Sequence, residues 1–264
     1  MRDIQTGLRV VFAALAIASQ ASLAAADCSR DVLIAAADAY VAAQTNGKLG
    51  DLQNLLTADY KYTENNKAST VAKGVISTAL KIANRKTTAD TVACASFTEV
   101  IATTPKPYVI GTQLRHTADG ANITLIDVIA ATTGSLSFNA AKTLQYIQAE
   151  KWTTIDTSKY DSRALFQQTA DAYLDMWTNA TAYNAVPWGT PCERVEGSSL
   201  NSPCTVGAPK GGYTNRISDR RYVIDQAMGS VDVFCNFAAV GGVADSHEFR
   251  LENGKLRYVH TITL

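Results

Sequence analysis

The sequence is poor in histidine, tryptophan and methionine. Among its 264 residues there are three histidines, three tryptophans and three methionines. Its 24 basic and 24 acidic residues cancel, and they are spread along the chain instead of forming runs. Because nucleic acids and anionic membranes select basic patches, the sequence predicts neither of them as a partner.

Local signature motifs of the common enzyme classes are also absent. The sequence has no G-x-S-x-G, no P-loop, no G-x-G-x-x-G after a strand and no H-E-x-x-H. These absences disfavour hydrolase, nucleotide-binding and zinc-protease functions. We expect no cofactor and no metal, because the two histidines near the carboxyl end have no evident third ligand other than Asp245.

The first residues of the chain have the pattern of a secretory signal peptide. Arg2 and Arg9 flank the apolar run "VVFAALAIA", which leads to three alanines ending at Ala26. The run is too short to cross a bilayer and is followed by an A-x-A pattern. We therefore predict a signal peptide over residues 1–26 and a location in the secretory pathway, either secreted or within a vacuolar or endomembrane lumen.

One helix-like segment occurs twice. Residues 29–46, "SRDVLIAAADAYVAAQTN", and residues 162–179, "SRALFQQTADAYLDMWTN", share eight identical positions without a gap. Such self-similarity indicates an internal duplication. The remaining length is close to twice a common domain size of roughly 120 residues. The sequence thus predicts one domain over residues 27–157 and a second over residues 158–264.

The five cysteines are interpreted in the light of the predicted compartment. An oxidising environment favours disulfides over metal thiolates. We prefer Cys28 with Cys94 and Cys192 with Cys204, leaving Cys235 as a buried thiol, although spacing leaves a bridge between Cys204 and Cys235 open. Two N-x-T sequons predict glycosylation on the surface, at Asn122 and Asn179.

Each half of the chain begins with an amphipathic helix and continues into alternating strands, which predicts an α+β fold. The last hairpin is centred on Asn253-Gly254, a strong signal for a type I′ turn. That turn pairs Glu252 with Lys255 and, extended without interruption, His247 with His260. We therefore expect one face of the hairpin to carry six side chains, His247, Phe249, Leu251, Leu256, Tyr258 and His260.

Four segments carry a family resemblance: "PYVIGTQL", "VPWGTPCERVEG", "ISDRRYVIDQAMGSVDVF" and "DSHEFRLENGKLRYVHTIT". They resemble secreted fungal proteins that contain two NTF2-like units in tandem. The resemblance implies two cone-shaped domains, each with helices on a strongly curved and mainly antiparallel sheet. NTF2-like folds often dimerise through the sheet, so a tandem copy can supply that contact within one chain. A homodimer also stays open.

Some members of that family resemble hetero-Diels-Alderases of tropolone sesquiterpenoid biosynthesis. The resemblance implies a cofactor-free pericyclase that helps a hydroxymethyl tropolone lose water and holds the resulting quinone methide against a humulene-type alkene. We assign acid or donor roles to His247, His260 and Tyr258. Substrate contacts are assigned to Arg220 or Arg221 as a clamp and to the apolar walls Trp188, Phe249 and Tyr173.

Two other functions compete with the pericyclase. An NTF2-like dehydratase, isomerase or cyclase acting on one small substrate would use a carboxylate or histidine as its base, with Asp127 or Asp171 as candidates. A non-catalytic secreted protein would bind a ligand without turnover. One fold hosts many chemistries, so the resemblance alone does not choose among them.

Overall fold

A computed structural model describes residues 28–264, so the predicted signal peptide lies outside the described residues. The first half contains helix α1 (Arg30–Asn46) and six strands, β1 (Leu56–Glu64), β2 (Lys67–Ser69), β3 (Ile82–Asp90), β4 (Ala95–Ala102), β5 (Tyr108–His116) and β6 (Ile123–Thr132). A short helix, α2 (Ala140–Ile147), leads to the second half. That half contains α3 (Arg163–Asp175), β7 (Trp188–Glu196), β8 (Ser199–Asn201), β9 (Ser218–Asp225), β10 (Ser230–Phe237), β11 (Val243–Glu252) and β12 (Lys255–Thr263).

The two halves have the same sheet topology. Each forms a six-stranded sheet, in the order β2-β1-β6-β5-β4-β3 and β8-β7-β12-β11-β10-β9. Within each sheet one pair is parallel, β1 with β6 and β7 with β12, and the other pairs are antiparallel. The protein is therefore built of two tandem units of one α+β architecture, each with helices on a mainly antiparallel sheet and each called a cone below, which confirms the predicted fold class. Among residues 28–264, no helix has the length and apolar character needed to cross a membrane.

The duplicated helices cover the concave side of their sheets. The paired tyrosines of the repeat, Tyr40 and Tyr173, are both fully buried there. Helix α1 ends at Gly47, which adopts a left-handed conformation at φ 66°. Helix α3 begins after Ser162, whose side chain accepts a hydrogen bond from the amide of Leu165. The repeat thus encodes one structural element in each cone.

The disulfide predictions are confirmed. Cys28 is bonded to Cys94 and Cys192 to Cys204, with Cα atoms 5.4 and 5.1 Å apart. Cys235 is a buried free thiol on β10. Two disulfides in one chain indicate an oxidising compartment.

The last hairpin corrects one prediction. Asn253 and Gly254 both have positive φ, as a type I′ turn requires, and Glu252 pairs with Lys255 as expected. Beyond Leu256, however, Arg257 is an extra residue in β12, so that His247 pairs with Thr261 instead of His260. The predicted pairing is wrong because a one-residue bulge moves every later side chain to the opposite face.

The two sheets pack against each other on the faces turned away from α1 and α3. One apolar cluster draws side chains from both halves, and at its centre Phe97 and Phe234 meet edge to face at 6.1 Å. Gly111 allows this approach, because a Cβ there would lie 3.0 to 3.3 Å from Phe97, Ile262 and Phe234. The sheet-to-sheet contact expected of a tandem copy is thus made within one chain.

Two reciprocal ion pairs flank this interface. Arg30 of α1 donates two hydrogen bonds of 2.8 Å to Asp225 of the second half. Arg163, its counterpart in α3, donates one of 2.8 Å to Asp90 of the first half. Each aspartate also accepts a backbone amide from the opposite half, and both carboxylates are buried. The duplication has therefore kept the same docking contact in both directions.

Asp225→Ala should destabilise the folded protein. The change leaves Arg30 without its carboxylate and orphans a buried amide, so we expect the free energy of unfolding to fall by about 3 kcal/mol. Urea unfolding with intact disulfides measures it. Asp38→Ala is the matched control, because Asp38 forms an exposed pair with Arg85 and should cost less than about 1 kcal/mol. Equal losses in the two variants would contradict the docking role.

Candidate functional site

The two cones differ most in the side chains that point inward from matching strand positions. In the first cone, one cross-strand row holds Thr98, Thr112 and Val128, and its neighbour holds Val100, Ile110 and Ala130. The matching rows of the second cone hold Val233, His247 and Thr261, then Cys235, Asp245 and Thr263. Because the register is the same, the second cone has His247, Asp245 and Cys235 where the first has Thr112, Ile110 and Val100.

His247 is held at the centre of this cluster. Its Nδ1 lies 2.5 Å from Oδ2 of Asp245, an ion-pair distance without hydrogen-bond alignment. Asp245 also accepts a hydrogen bond of 2.6 Å from Thr263, and the Cys235 thiol lies 3.7 Å from it. Burial, and then the charge of Asp245, raise the pKa of Cys235 well above its ordinary value, so the thiol stays protonated. The contact with Asp245 leaves Nε2 of His247 as the ring nitrogen available to a ligand.

The imidazole is surrounded by aromatic rings. Phe237, Tyr173 and Phe249 lie 5.5, 5.6 and 5.9 Å from it, measured between ring centroids. Trp177 meets Phe237 edge to face at 4.7 Å. Such an environment fixes the orientation of the ring and lowers the local dielectric constant, which strengthens any hydrogen bond that it makes.

A cavity of about 240 Å³ opens beside His247. Its walls include Trp177, Phe237 and Val240, and its polar lining includes Glu196, Thr261 and Thr263. Two further lining residues, Leu136 and Ser137, come from the first half of the chain. The backbone amide of Ser198, in the β7–β8 turn, donates a 3.0 Å hydrogen bond to Ser137 and holds that segment in place. Both domains therefore enclose the cavity.

A second polar group faces the same cavity. Glu196 ends β7, and its Oε1 accepts hydrogen bonds from Tyr173 at 2.6 Å and from Arg194 at 2.5 Å. Burial, and then the charge of Glu196, raise the pKa of Tyr173 well above its ordinary value, so the phenol remains a donor. The predicted substrate residue Tyr173 thus lies behind the cavity and supports a residue that lines it.

His260, the other predicted catalytic histidine, lies outside this cone. It occupies a separate interdomain cavity of about 440 Å³ together with Lys86, Glu99, Glu150 and Trp152. Its Nε2 lies 2.8 Å from Glu150 and its Nδ1 lies 3.2 Å from Glu99. Burial and Lys86 oppose protonation, but the two carboxylates outweigh them and raise the pKa of His260 to about 9. The His260 imidazole is therefore positively charged at neutral pH and forms part of the interface.

Three other predicted site residues do not line the His247 cavity. Tyr258 faces the interface and stacks on Trp152 at 5.9 Å between ring centroids. Phe249 is fully buried in the core of the second cone. Trp188 packs on Tyr183 and donates its indole N–H to the carbonyl of that residue at 3.0 Å.

The two arginines predicted as a substrate clamp, Arg220 and Arg221, make separate ion pairs with aspartates. Arg220 donates to Asp171 and Asp175 at 2.5 and 2.6 Å, which ties β9 to α3. Arg221 points to the other side of the sheet and donates to Asp127 of the first half at 2.7 Å. Both line an open interdomain groove, and neither lines the His247 cavity. The same pairs account for the candidate bases Asp127 and Asp171.

Within the described part of the chain, residues 28–264, two groups of side chains have the donor types of a divalent-cation site. Cys235, Asp245 and His247 form one, and Glu99, Glu248 and His260 form the other, each with its potential ligand atoms within 4.8 Å. The Lys86 ammonium lies 2.6 Å from Glu248 and 3.5 Å from Glu99, so it already supplies positive charge to the second group. The expectation that the protein works without a metal stays a prediction.

Comparisons with known proteins found one family profile and several solved structures. Residues 159–263 match the profile of a family described as "Domain of unknown function (DUF8021)". PrhC from Penicillium brasilianum is 14% identical, with a TM-score of 0.28, over 39% of this chain and 82% of its own. An NTF2-like protein of unknown function from Shewanella baltica is 9% identical, with a TM-score of 0.30, over 39% of this chain and 94% of its own.

A third solved structure is similar over a larger share of this chain. It is an NTF2-like protein from Bacteroides fragilis, 10% identical with a TM-score of 0.20, and the match covers 84% of this chain and 94% of that one. No curated protein sequence matches the chain. At such low identities and scores these likenesses carry no argument about activity, so the function has to be argued from the site.

Because of His260, the free energy of unfolding should fall as the pH rises. Its folded pKa of about 9 exceeds the ordinary value of 6.5, so its contribution is complete below pH 6.5 and is lost as the pH rises through 9. We expect the free energy of unfolding to decrease by up to about 3 kcal/mol over that range. Urea unfolding from pH 6 to 10 measures the slope.

Two variants test whether this pH dependence of the free energy of unfolding comes from His260. His260→Gln should remove it, whereas His116→Gln should keep it, because burial lowers the pKa of His116. An NMR titration of the His260 ring provides a direct check on the folded protein. A midpoint near 6.5 would contradict the raised pKa.

Proposed function

We propose that the second cone is a cofactor-free acid–base site for one small, largely apolar molecule. The observation that carries this proposal is the contact between His247 and Asp245 beside a cavity, at positions where the first cone has Thr112 and Ile110. Since both cones have the same fold and register, folding does not require the polar pair. Its presence in one cone only supports a chemical role.

The geometry suits proton transfer at Nε2. Asp245 beside Nδ1 favours the tautomer with its proton on Nδ1, so that Nε2 can accept a proton from a bound molecule. His247 would take a proton from carbon next to a carbonyl group or, in a hydroxymethyl tropolone, from the ring hydroxyl. Returning that proton to another carbon completes an isomerisation, and giving it to a departing hydroxide completes a dehydration. The aromatic walls exclude water and strengthen these interactions.

The volume of the cavity favours a single substrate. About 240 Å³ lies below the range of roughly 300–1,000 Å³ typical of pockets for drug-sized ligands. A hetero-Diels-Alder reaction needs a tropolone quinone methide and a humulene-type alkene in the same site. The apolar wall formed by Trp177, Phe237 and Val240 supports this reaction as a second candidate, and dehydration of a hydroxymethyl tropolone is a step that His247 can assist.

One substrate distinguishes the two functions. Hydroxymethyl tropolone is incubated with purified protein in oxygen-18 water, with and without a humulene alcohol, and followed by mass spectrometry. Acid–base catalysis predicts faster incorporation of the heavy oxygen without the alkene, because water leaves and returns. A pericyclase predicts a single stereochemical adduct when the alkene is present. Rates equal to those of the protein-free mixture in both arms would refute this activity and leave ligand binding alone.

His247→Gln should lower the accelerated rate by about 100-fold or more, the usual contribution of a positioned acid or base. Asp245→Asn should lower it less, because the imidazole remains but its preferred tautomer is lost. His116→Gln is the matched control and should leave the rate unchanged, since His116 lines no part of this cavity. Unchanged turnover in His247→Gln would exclude proton transfer by this residue.

A further inference from the structure

Glu196 suggests what kind of molecule the His247 cavity holds. Glu196, Thr261 and His247 lie side by side in one cross-strand row, so the carboxylate and the imidazole face the same space. The side chain of Glu196 is 27% exposed. A bound molecule between the two groups would therefore meet an acid–base residue at one end and a carboxylate at the other.

The carboxylate is held rigidly, and one of its oxygens is free. Tyr173 and Arg194 both donate to Oε1, and both donors are fully buried. Within residues 28–264, no side chain or backbone group donates to Oε2. A carboxylate positioned by two donors, with a free oxygen toward a cavity, is a preorganised hydrogen-bond acceptor.

The first cone holds its counterpart glutamate in the same way. Glu64 ends β1 as Glu196 ends β7, and Tyr62 takes the place of Arg194 two residues earlier. One oxygen of Glu64 accepts from Tyr62 at 2.5 Å and from the amide of Val75 at 2.7 Å. What differs is the partner in the cross-strand row, which is Thr112 in the first cone and His247 in the second. The positioned carboxylate therefore shares its row with a histidine in the second cone and not in the first.

From this we infer that Glu196 anchors the hydroxyl group of a small apolar alcohol in the His247 cavity. A hydroxyl can donate to Oε2, whereas a ligand carboxylate in the same position would meet like charge. The positive charge of Arg194 is already balanced by Glu196, so it offers an anionic ligand no free partner. The inference rests on the proposed function for the location of the site, and it adds the polarity of the substrate.

Three probes of nearly equal shape test it: benzyl alcohol, toluene and benzoate. Binding to the purified protein is measured by titration NMR, with the indole signal of Trp177 reporting this cavity and that of Trp152 as an internal reference. We expect benzyl alcohol to bind more tightly than toluene. We expect benzoate to bind about tenfold or more weakly than the alcohol, because like charges in a buried site repel.

The variants separate charge from shape. Glu196→Gln should raise the affinity for benzoate by about tenfold and weaken that for the alcohol, since an amide can donate. Glu196→Asp keeps the charge and should keep the preference. Glu252→Gln is the matched control, because Glu252 also pairs with an arginine two residues earlier but lines no part of this cavity.

Three results would each overturn the inference. The first is benzoate binding as tightly as benzyl alcohol in the wild-type protein, and the second is a preference for the alcohol that is unchanged in Glu196→Gln. The third is the absence of any shift of the Trp177 signal with all three probes. Because no probe is turned over, these outcomes are independent of the rate measurements on His247. Catalysis can fail while the preference for alcohols holds, and the reverse is equally measurable.

Discussion

The packing of one sheet against the other is the constraint on which the rest of this structure depends. It buries one face of each sheet, with Phe97 and Phe234 at its centre and buried aspartates at both flanks. Each aspartate satisfies an arginine and a backbone amide of the opposite half. Neither half can therefore rotate or separate without exposing apolar surface and orphaning buried charge. The interface consequently holds both copies to the same topology.

The interior of each cone is under a weaker constraint, because it only has to be filled and satisfied. The first cone meets this demand with mainly apolar side chains and with Glu64 held by two donors. The second buries Asp245, His247 and Cys235 in matching positions. Burying such groups costs free energy that an apolar core would not. Duplication thus allowed one cone to keep the scaffold while the other acquired polar groups around a cavity.

The hairpin shows how a small backbone feature redistributes chemistry. Arg257, as an added residue in β12, leaves His247 inside the cone and sends His260 to the interface. There His260 joins Lys86 and three glutamates in a buried charge cluster, where it is protonated. Strict alternation would place the two histidines together. Instead His247 lines a cavity, whereas His260 contributes to the stability of the interface.

The duplication, the helix-then-strands order and the turn at Asn253-Gly254 are determined by the sequence alone, because each depends on local pattern or on spacing along the chain. Spacing favoured both disulfides, but the structure was needed to decide between Cys192 and Cys235 as the partner of Cys204. His247 could be singled out in the same way. Asp245 was visible as its neighbour, but Glu196, with the arginine two residues before it, carries no motif. Only the tertiary structure decided that Arg220 and Arg221 are occupied by aspartates and that His260 faces the other half. The reason is that bulges, sheet packing and charge pairing join residues far apart in sequence, and no local pattern records which partner each will meet.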